Sequence, residues 1–350
     1  MIDNDDRYPH GGLKKRMETA TVMTRVPPVR IGLIGAGKHG SRYAKHIRED
    51  LPEIDLVGLW RRNTDEGKRQ ARQYGCRYFQ SIHDLLSDGS IEAVVIVLPP
   101  ALNLSVCREA ACRGKHILLE KPMALNVKEA IRIRQAVSRH HIRLMVAQTL
   151  RFNTVVKTVK DCIPRLGSLH SIHLSQRFEP SPLAWMDQQE LSGGGIILHT
   201  GVHSLDLLRF FTEEEVEAVS CAVNRVVTKE TEDNFSAVMT FEESPIIASV
   251  MGSRGTQGRN GLIEIAGENG QLVADHVHDY LYMIRGTDKR RVRLGKPVPT
   301  VCEALRAFCR GLRREIPFPV TLEDGAAAVA IAEACYRSAE TGRWKKVHKF

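Results

Sequence analysis

The stretch "VRIGLIGAGKHGSRYAKHI" (29–47) limits what this chain can fold into more than any other. Val29, Ile31, Leu33 and Ile34 form an apolar, β-prone run, and Gly35, Gly37 and Gly40 follow it in G-x-G-x-x-G spacing. Tyr43, Ala44 and Ile47 then fall on one face of a helical stretch. Strand, glycine turn and helix in this order open a dinucleotide-binding βαβ unit. Gly35 permits the tight turn, Gly37 lets backbone approach a pyrophosphate, and Gly40 lets the helix pack close to the sheet. The helix N-terminus, with Lys38 and His39 at its entrance, faces the phosphates.

The alternation continues beyond the turn. "IDLVGLW" (54–60), "IEAVVIVL" (91–98), "HILLE" (116–120) and "IRLMVAQ" (142–148) read as strands, with helices at 64–74, 103–113 and 126–140. This pattern predicts a doubly wound parallel sheet, a Rossmann-type domain over residues 29–150. Past 150 the texture changes. "SLHSIHLSQRF", "EAVSCAVNRV", "NFSAVMTFEESPIIASVMGS", "GLIEIAGENGQLVADH" and "YLYMIRG" are successive strand-like runs separated by short polar turns such as Glu268-Asn269-Gly270. They predict a mostly antiparallel sheet, and helices near 301–314 and 321–340 complete an α+β domain over 151–350. A chain of 350 residues suits two such domains. Residues 1–28 hold early aspartates and two prolines just before the first strand, and we expect a flexible tail rather than a secretory or transit peptide.

Composition narrows the function classes. No apolar run approaches the roughly 18–20 residues that span a bilayer. The eight cysteines are scattered without a C-x-x-C pair, as expected of reduced, buried thiols in a cytoplasmic protein. The net charge of +9 raises the question of nucleic acid, but the basic residues are spread through both halves and no basic run is interleaved with aromatics. An anionic small molecule accounts better for part of that excess.

The end of the second strand bears on cofactor choice. NAD-specific sites place an acidic residue there to bond the ribose 2′-hydroxyl. Here Trp60 is followed by Arg61, Arg62 and Asn63, and no acid comes before Asp65. Two guanidiniums suit a 2′-phosphate through charge-assisted hydrogen bonds, so NADP(H) is the expected preference, with NAD(H) as the alternative.

Three further stretches belong with the fingerprint. "EAVVIVLPPALNLSVCREAACRGKHILLEKPMALNVKEA" (92–130) sets Glu120-Lys121-Pro122 at a strand end. "LSGGGIILHTGVHSLDLLRFF" (191–211) has a glycine run followed by His199, His203 and Asp206. "FPVTLEDGAAAVAIAEACYRSAETGRWKKV" (318–347) gives a last helix and a basic final strand. Together, over about residues 29–347, they resemble the glucose–fructose oxidoreductase/inositol dehydrogenase (Gfo/Idh/MocA) family. The resemblance implies a Rossmann domain joined to an α/β domain whose open sheet serves oligomerisation, here as a dimer or tetramer. It implies nicotinamide-dependent oxidation or reduction at a carbinol carbon of a sugar, sugar derivative or cyclitol. Lys121 matches the lysine of the family's E-K-P motif, and His203 the histidine that serves as acid/base. Glu120, Lys121, Leu98, Pro99 and Asn103 join the glycine turn and the arginines as expected cofactor contacts. Two departures stand out. His199 occupies a position where many relatives have Asp, and "LPPALNL" has Asn103 near the place of a usual histidine.

Chemistry agrees with these assignments. Strand carboxyl ends open on the ligand crevice, and Lys121 lies just past one of them. A secondary alcohol that gives up hydride needs a group to take its proton and a cation to hold its oxygen, tasks for a histidine and a lysine. If the His199 ring lies beside His203, a second imidazole replaces the usual carboxylate and keeps His203 neutral to lower pH. Histidines four apart also match metal-ligand spacing, but the sequence offers no third ligand, and no metal is expected. The glycine run sets His199 ahead of the helix. Asp187, Arg177, His173, Asn234 and Arg151 are candidate substrate contacts. A regulator that binds dinucleotide without turnover is the alternative function, one against which Lys121 and His203 both argue.

Overall fold

The computed structural model describes residues 27–350. The expected tail therefore lies outside the described residues, except for Pro27 and Pro28. Six strands form the first sheet: β1 (Val29–Ile34), β2 (Ile54–Trp60), β3 (Arg77–Tyr78), β4 (Ala93–Ile96), β5 (His116–Glu120) and β6 (Leu144–Ala147). Their order is 3-2-1-4-5-6 and every ladder is parallel. Between them run α1 (Gly40–Glu49), α2 (Thr64–Tyr74), α3 (Ile82–Ser87), α4 (Asn103–Cys112) and α5 (Val127–Arg139). Helices on both faces leave no wet side, so all four residues of β4 are apolar and buried. The helix ends are locally encoded. Asn63 accepts the Glu66 N–H at the start of α2, and Gly75 closes that helix in the left-handed conformation. The strand order reverses between β1 and β4, which opens the ligand crevice at their carboxyl ends.

After α6 (Thr154–Cys162) the chain builds a nine-stranded sheet from β7 (Leu169–Arg177), β8 (Val216–Asn224), β9 (Asn234–Phe241), β10 (Ile247–Ser253), β11 (Asn260–Gly267), β12 (Gly270–Asp275), β13 (Tyr280–Arg285), β14 (Asp288–Arg291) and β15 (Lys345–Lys346). The order is 14-13-12-11-7-10-9-8-15, antiparallel except where β7 and β10 pair in parallel. Before β8 come a single turn, α7 (Gln189–Ser192), and α8 (Val202–Thr212); after β14 come α9 (Thr300–Arg314) and α10 (Leu322–Thr341). Thr321 and Asp324 form a reciprocal capping box at the start of α10. One face of this sheet packs its Ile172, Leu174, Val250 and Ile263 against helices, while Ile247 and Val238 on the other face are 56% and 40% exposed.

Short β3, α3 and β14 have too few periodic residues to be foreseen, whereas α6, absent from the expected elements, does carry a signal in Val155, Val156, Val159 and Cys162 at helical spacing. α9 lies late in the chain, yet its Val301, Leu305 and Phe308 are buried in the core built on the first sheet. Of the eight cysteines, all free, six are buried as expected, while Cys76 is half-buried and Cys112, on the outer side of α4, is exposed. No helix among the described residues is long and apolar enough to cross a membrane.

Candidate active site

The site starts at the glycine turn. Gly35 has φ +98°, and a Cβ there would collide with the Val97 carbonyl, so the turn admits only glycine. A Cβ on Gly40 would strike the Gly35 carbonyl, which is how α1 comes so close to the strand. Around Gly37 a Cβ would meet nothing within 4 Å. That open space lies before the N-terminus of α1, which has neither a side-chain cap nor an acid in its first turn. An uncapped helix terminus beside free space fits a pyrophosphate. The Trp60 carbonyl accepts from Gly35 (3.0 Å) and Ala36 (3.3 Å), which ties the end of β2 to the turn and sets Arg61 and Arg62 directly after it.

Beneath the turn, Glu120 at the end of β5 is buried. His39 Nε2 lies 2.7 Å from Oε1, the Tyr43 hydroxyl donates to the same oxygen, and the Lys121 N–H donates to Oε2 at 3.0 Å. Burial pushes the Glu120 pKa up, but His39 and Lys121 outweigh it and the carboxylate ends below its ordinary range. Glu120 therefore holds the turn to the strand end. Lys121 points the other way, to the second domain, where its Nζ donates to the His199 carbonyl at 2.6 Å. The Lys121–Pro122 bond is cis.

His199 is not ahead of the helix. It lies in a π-helical turn, Ile197–Gly201, that leads straight into α8 and His203. The His199 carbonyl that accepts from Lys121 lies within this wider turn. Burial lowers the Lys121 pKa, and the Glu120 charge opposes it. His203 is half-buried with an unpartnered Nδ1. Its pKa falls well below the ordinary imidazole value, first through burial, then through Lys121, His276 and His39. The His199 ring is buried edge-on to Trp185, with centroids 5.5 Å apart. Burial, then Lys121 and Arg254, bring its pKa down to about 3 against the carbonyls of Gly194 and Ser192. Both imidazoles are neutral at neutral pH.

Profile comparison matches residues 29–148 to an oxidoreductase family described by its NAD-binding Rossmann fold, and residues 160–347 to the same family's C-terminal alpha/beta domain. The chain belongs to the Gfo/Idh/MocA oxidoreductase family. It is 24% identical to a myo-inositol 2-dehydrogenase of Thermotoga maritima over 92% of this chain and 99% of that protein. It is 23% identical to the scyllo-inositol 2-dehydrogenase (NADP(+)) IolW of Bacillus subtilis, over 91% of this chain and 96% of that one. Among solved structures, a levoglucosan dehydrogenase in complex with NADH and levoglucosan superimposes with a TM-score of 0.84 at 22% identity, covering 92% of this chain and all of that one.

Within this family framework the expected residues divide. Lys38 and His39 are exposed at the helix entrance, and Leu98 packs beside Gly35 with Pro99 following it. Arg61 is partly buried 3.4 Å from Glu66, and Arg62 is exposed. Asn103 is buried, and its Nδ2 donates to the carbonyls of Pro122 (3.0 Å) and Met123 (3.3 Å), so its side chain holds the loop after Lys121. The expected imidazole couple takes a different form. His199 is not among the groups that lower the His203 pKa; the wide turn brings its carbonyl to Lys121, and its ring lies against Trp185.

The five candidate substrate contacts are engaged elsewhere or face away. Arg151 is locked by Asp206 in two hydrogen bonds of 2.7 Å and by Asp324. Asp187 caps the N–H groups of Lys229, Glu230 and Thr231, and Asn234 donates to Asp233. His173 bonds Ser249, and Arg177 reaches Met251, on the sheet face away from the helices. Strand parity brings Gln176 inward instead, and its Nε2 lies 3.2 Å from His276 Nε2. The His276 ring reaches Gln176 from beyond β12 because Gly261, on the strand between, has no Cβ to block it. Among the described residues, a separate group of metal-ligating types is His46, Asp50 and Cys302, where His46 already bonds Asp50 at 2.6 Å.

Proposed function

We propose that this chain transfers a hydride between a nicotinamide dinucleotide and the carbinol carbon of a sugar, sugar derivative or cyclitol, with NADP(H) preferred over NAD(H). The observation that carries this reading is Lys121, fixed to the His199 carbonyl beside His203 at the carboxyl end of β5. When bound, the nicotinamide ring supplies the hydride acceptor or donor. His203, neutral at neutral pH, takes the hydroxyl proton on its imidazole as the carbonyl forms, and returns it in the reverse direction. The Lys121 ammonium holds the substrate oxygen as negative charge develops on it. Gln176 and His276 are the substrate-facing polar groups, because both reach inward on the helix side. Arg61 and Arg62 hold the 2′-phosphate.

In this reading, residues 29–150 hold the cofactor and residues 151–350 supply the substrate wall. The latter also form a homo-oligomer through the open sheet face, where Ile247, Val238 and Met251 are exposed. The buried free cysteines suit a cytoplasmic setting. A panel of sugars, keto-sugars, sugar acids and cyclitols, followed through nicotinamide absorbance with both cofactors, tests the proposal. We expect turnover on at least one CH–OH substrate and its loss in His203→Ala. Turnover that persists in His203→Ala would remove the acid/base assignment.

A further inference from the structure

The helix that carries His199 and His203 begins at Gly195, whose carbonyl takes the His199 N–H at 3.1 Å. Such a terminus leaves its first four N–H groups without partners inside the helix. The preceding run, Gly193–Gly195, has no side chain to cap them. One residue from a distant part of the chain meets three of them. Glu232, just before β9, accepts from Gly195 at Oε2 (2.8 Å), from Ile196 at its carbonyl (2.9 Å) and from Ile197 at Oε1 (2.9 Å). Tyr336 of α10 donates its hydroxyl to that Oε1 at 2.9 Å and so holds the carboxylate in place.

The glycine run is the seat for this pair. A Cβ on Gly194 would collide with the Tyr336 hydroxyl, and one on Gly195 with the Glu232 carbonyl. A carboxylate at this end also complements the positive end of the helix. Glu232 is 8% exposed, so water cannot easily replace it. His199 lies only one turn further on.

We propose that Glu232 and Tyr336 are positioning residues, which clamp the N-terminus of the catalytic helix and so hold the wide turn with the His199 carbonyl aimed at Lys121. The inference rests on Lys121 and His203 as the reacting pair. If the clamp loosens, the turn shifts, the His199 carbonyl moves away from Nζ, and Lys121 loses its anchor. Burial pushes the Glu232 pKa up while its N–H and phenol partners oppose that, so protonation at low pH loosens the same clamp.

Glu232→Gln and Tyr336→Phe in the full chain test this. In the first, one carboxylate oxygen becomes an amide donor set against a backbone donor; the second keeps the ring and removes the hydroxyl. Amide hydrogen exchange over residues 195–204, read without substrate, should accelerate by about tenfold or more in Glu232→Gln and by less in Tyr336→Phe. Exchange over 29–47 should not change. Turnover should fall by about 10–100-fold at unchanged NADPH affinity, the scale of a small misplacement at a reacting centre. Unchanged exchange over 195–204 in folded Glu232→Gln overturns the proposal, as does NADPH affinity that falls in step with kcat. Where Glu232→Gln fails to fold, Tyr336→Phe carries the same readouts. Lys121→Ala keeps the two readings apart: turnover lost there but retained in Glu232→Gln rejects the clamp alone, whereas turnover retained in Lys121→Ala rejects the reacting pair.

Discussion

Replacing Gly37 with alanine separates a glycine kept for a ligand from a glycine kept for the fold. A Cβ at Gly37 meets no protein atom within 4 Å, and the residue is not among those with positive φ. The chain itself therefore accepts alanine, and restricting the unfolded state should stabilise it by about 0.4–1 kcal/mol. The new methyl group instead enters the space before α1 where the pyrophosphate is proposed to lie. Overfilling a packed contact costs about 1–3 kcal/mol, and about 1.4 kcal/mol is a factor of ten, so the Kd for NADPH should rise by about 5–150-fold. Gly40→Ala reverses the pattern. Its Cβ would strike the Gly35 carbonyl, a backbone atom that cannot swing aside, so the unfolding temperature should fall. Fluorescence titration with NADPH and thermal unfolding, run on both variants, give the comparison. Wild-type NADPH affinity in a stable Gly37→Ala protein would refute a pyrophosphate at this turn.

Arg61→Ala with Arg62→Ala should weaken NADPH by about 10–100-fold and leave NADH nearly unchanged, since one charge-assisted hydrogen bond contributes about 1.5–3 kcal/mol; equal loss of both cofactors in titration would contradict the 2′-phosphate role. Arg151→Ala should destabilise the fold by about 3–5 kcal/mol by leaving Asp206 buried without its partner, with no change in cofactor affinity, as denaturation and titration would show. Burial, then Lys121, His276 and His39, lower the His203 pKa, so its proton-accepting form persists to acid pH and the acidic limb of oxidative kcat/KM should lie below the ordinary imidazole range. His276→Gln removes one of the lowering charges, so that limb should move up; an unmoved limb would place His276 outside the site.

Much of the first domain was legible because its signals are local. β4 is apolar at every position because both its faces are covered, and Asn63 and Gly75 mark the ends of α2 in the sequence itself. Lys121 was singled out through the family resemblance, since a lysine just past a strand otherwise reads as a surface residue. The proposed substrate wall was not legible, since it depends on parity and on long-range approach. A shift of one residue along β7 exchanges Arg177 for Gln176 on the inward face. His276 reaches Gln176 across two strand pairings, over a glycine whose meaning is apparent only in three dimensions. Arg151 has the charge expected of a substrate contact, but Asp206 and Asp324, distant in sequence, claim it. No local signal marks a π-helical turn, so the sequence pointed to the His199 ring and the structure to its carbonyl.

The most direct test of the central claim is turnover of Lys121→Ala on a substrate found by the panel, with NADPH affinity measured on the same preparation. If Lys121 holds the reacting oxygen from its anchor on the His199 carbonyl, kcat should fall by about 10²–10⁴-fold, the scale of a positioned catalytic group, while NADPH binds as before. Wild-type turnover in the alanine variant would contradict the account.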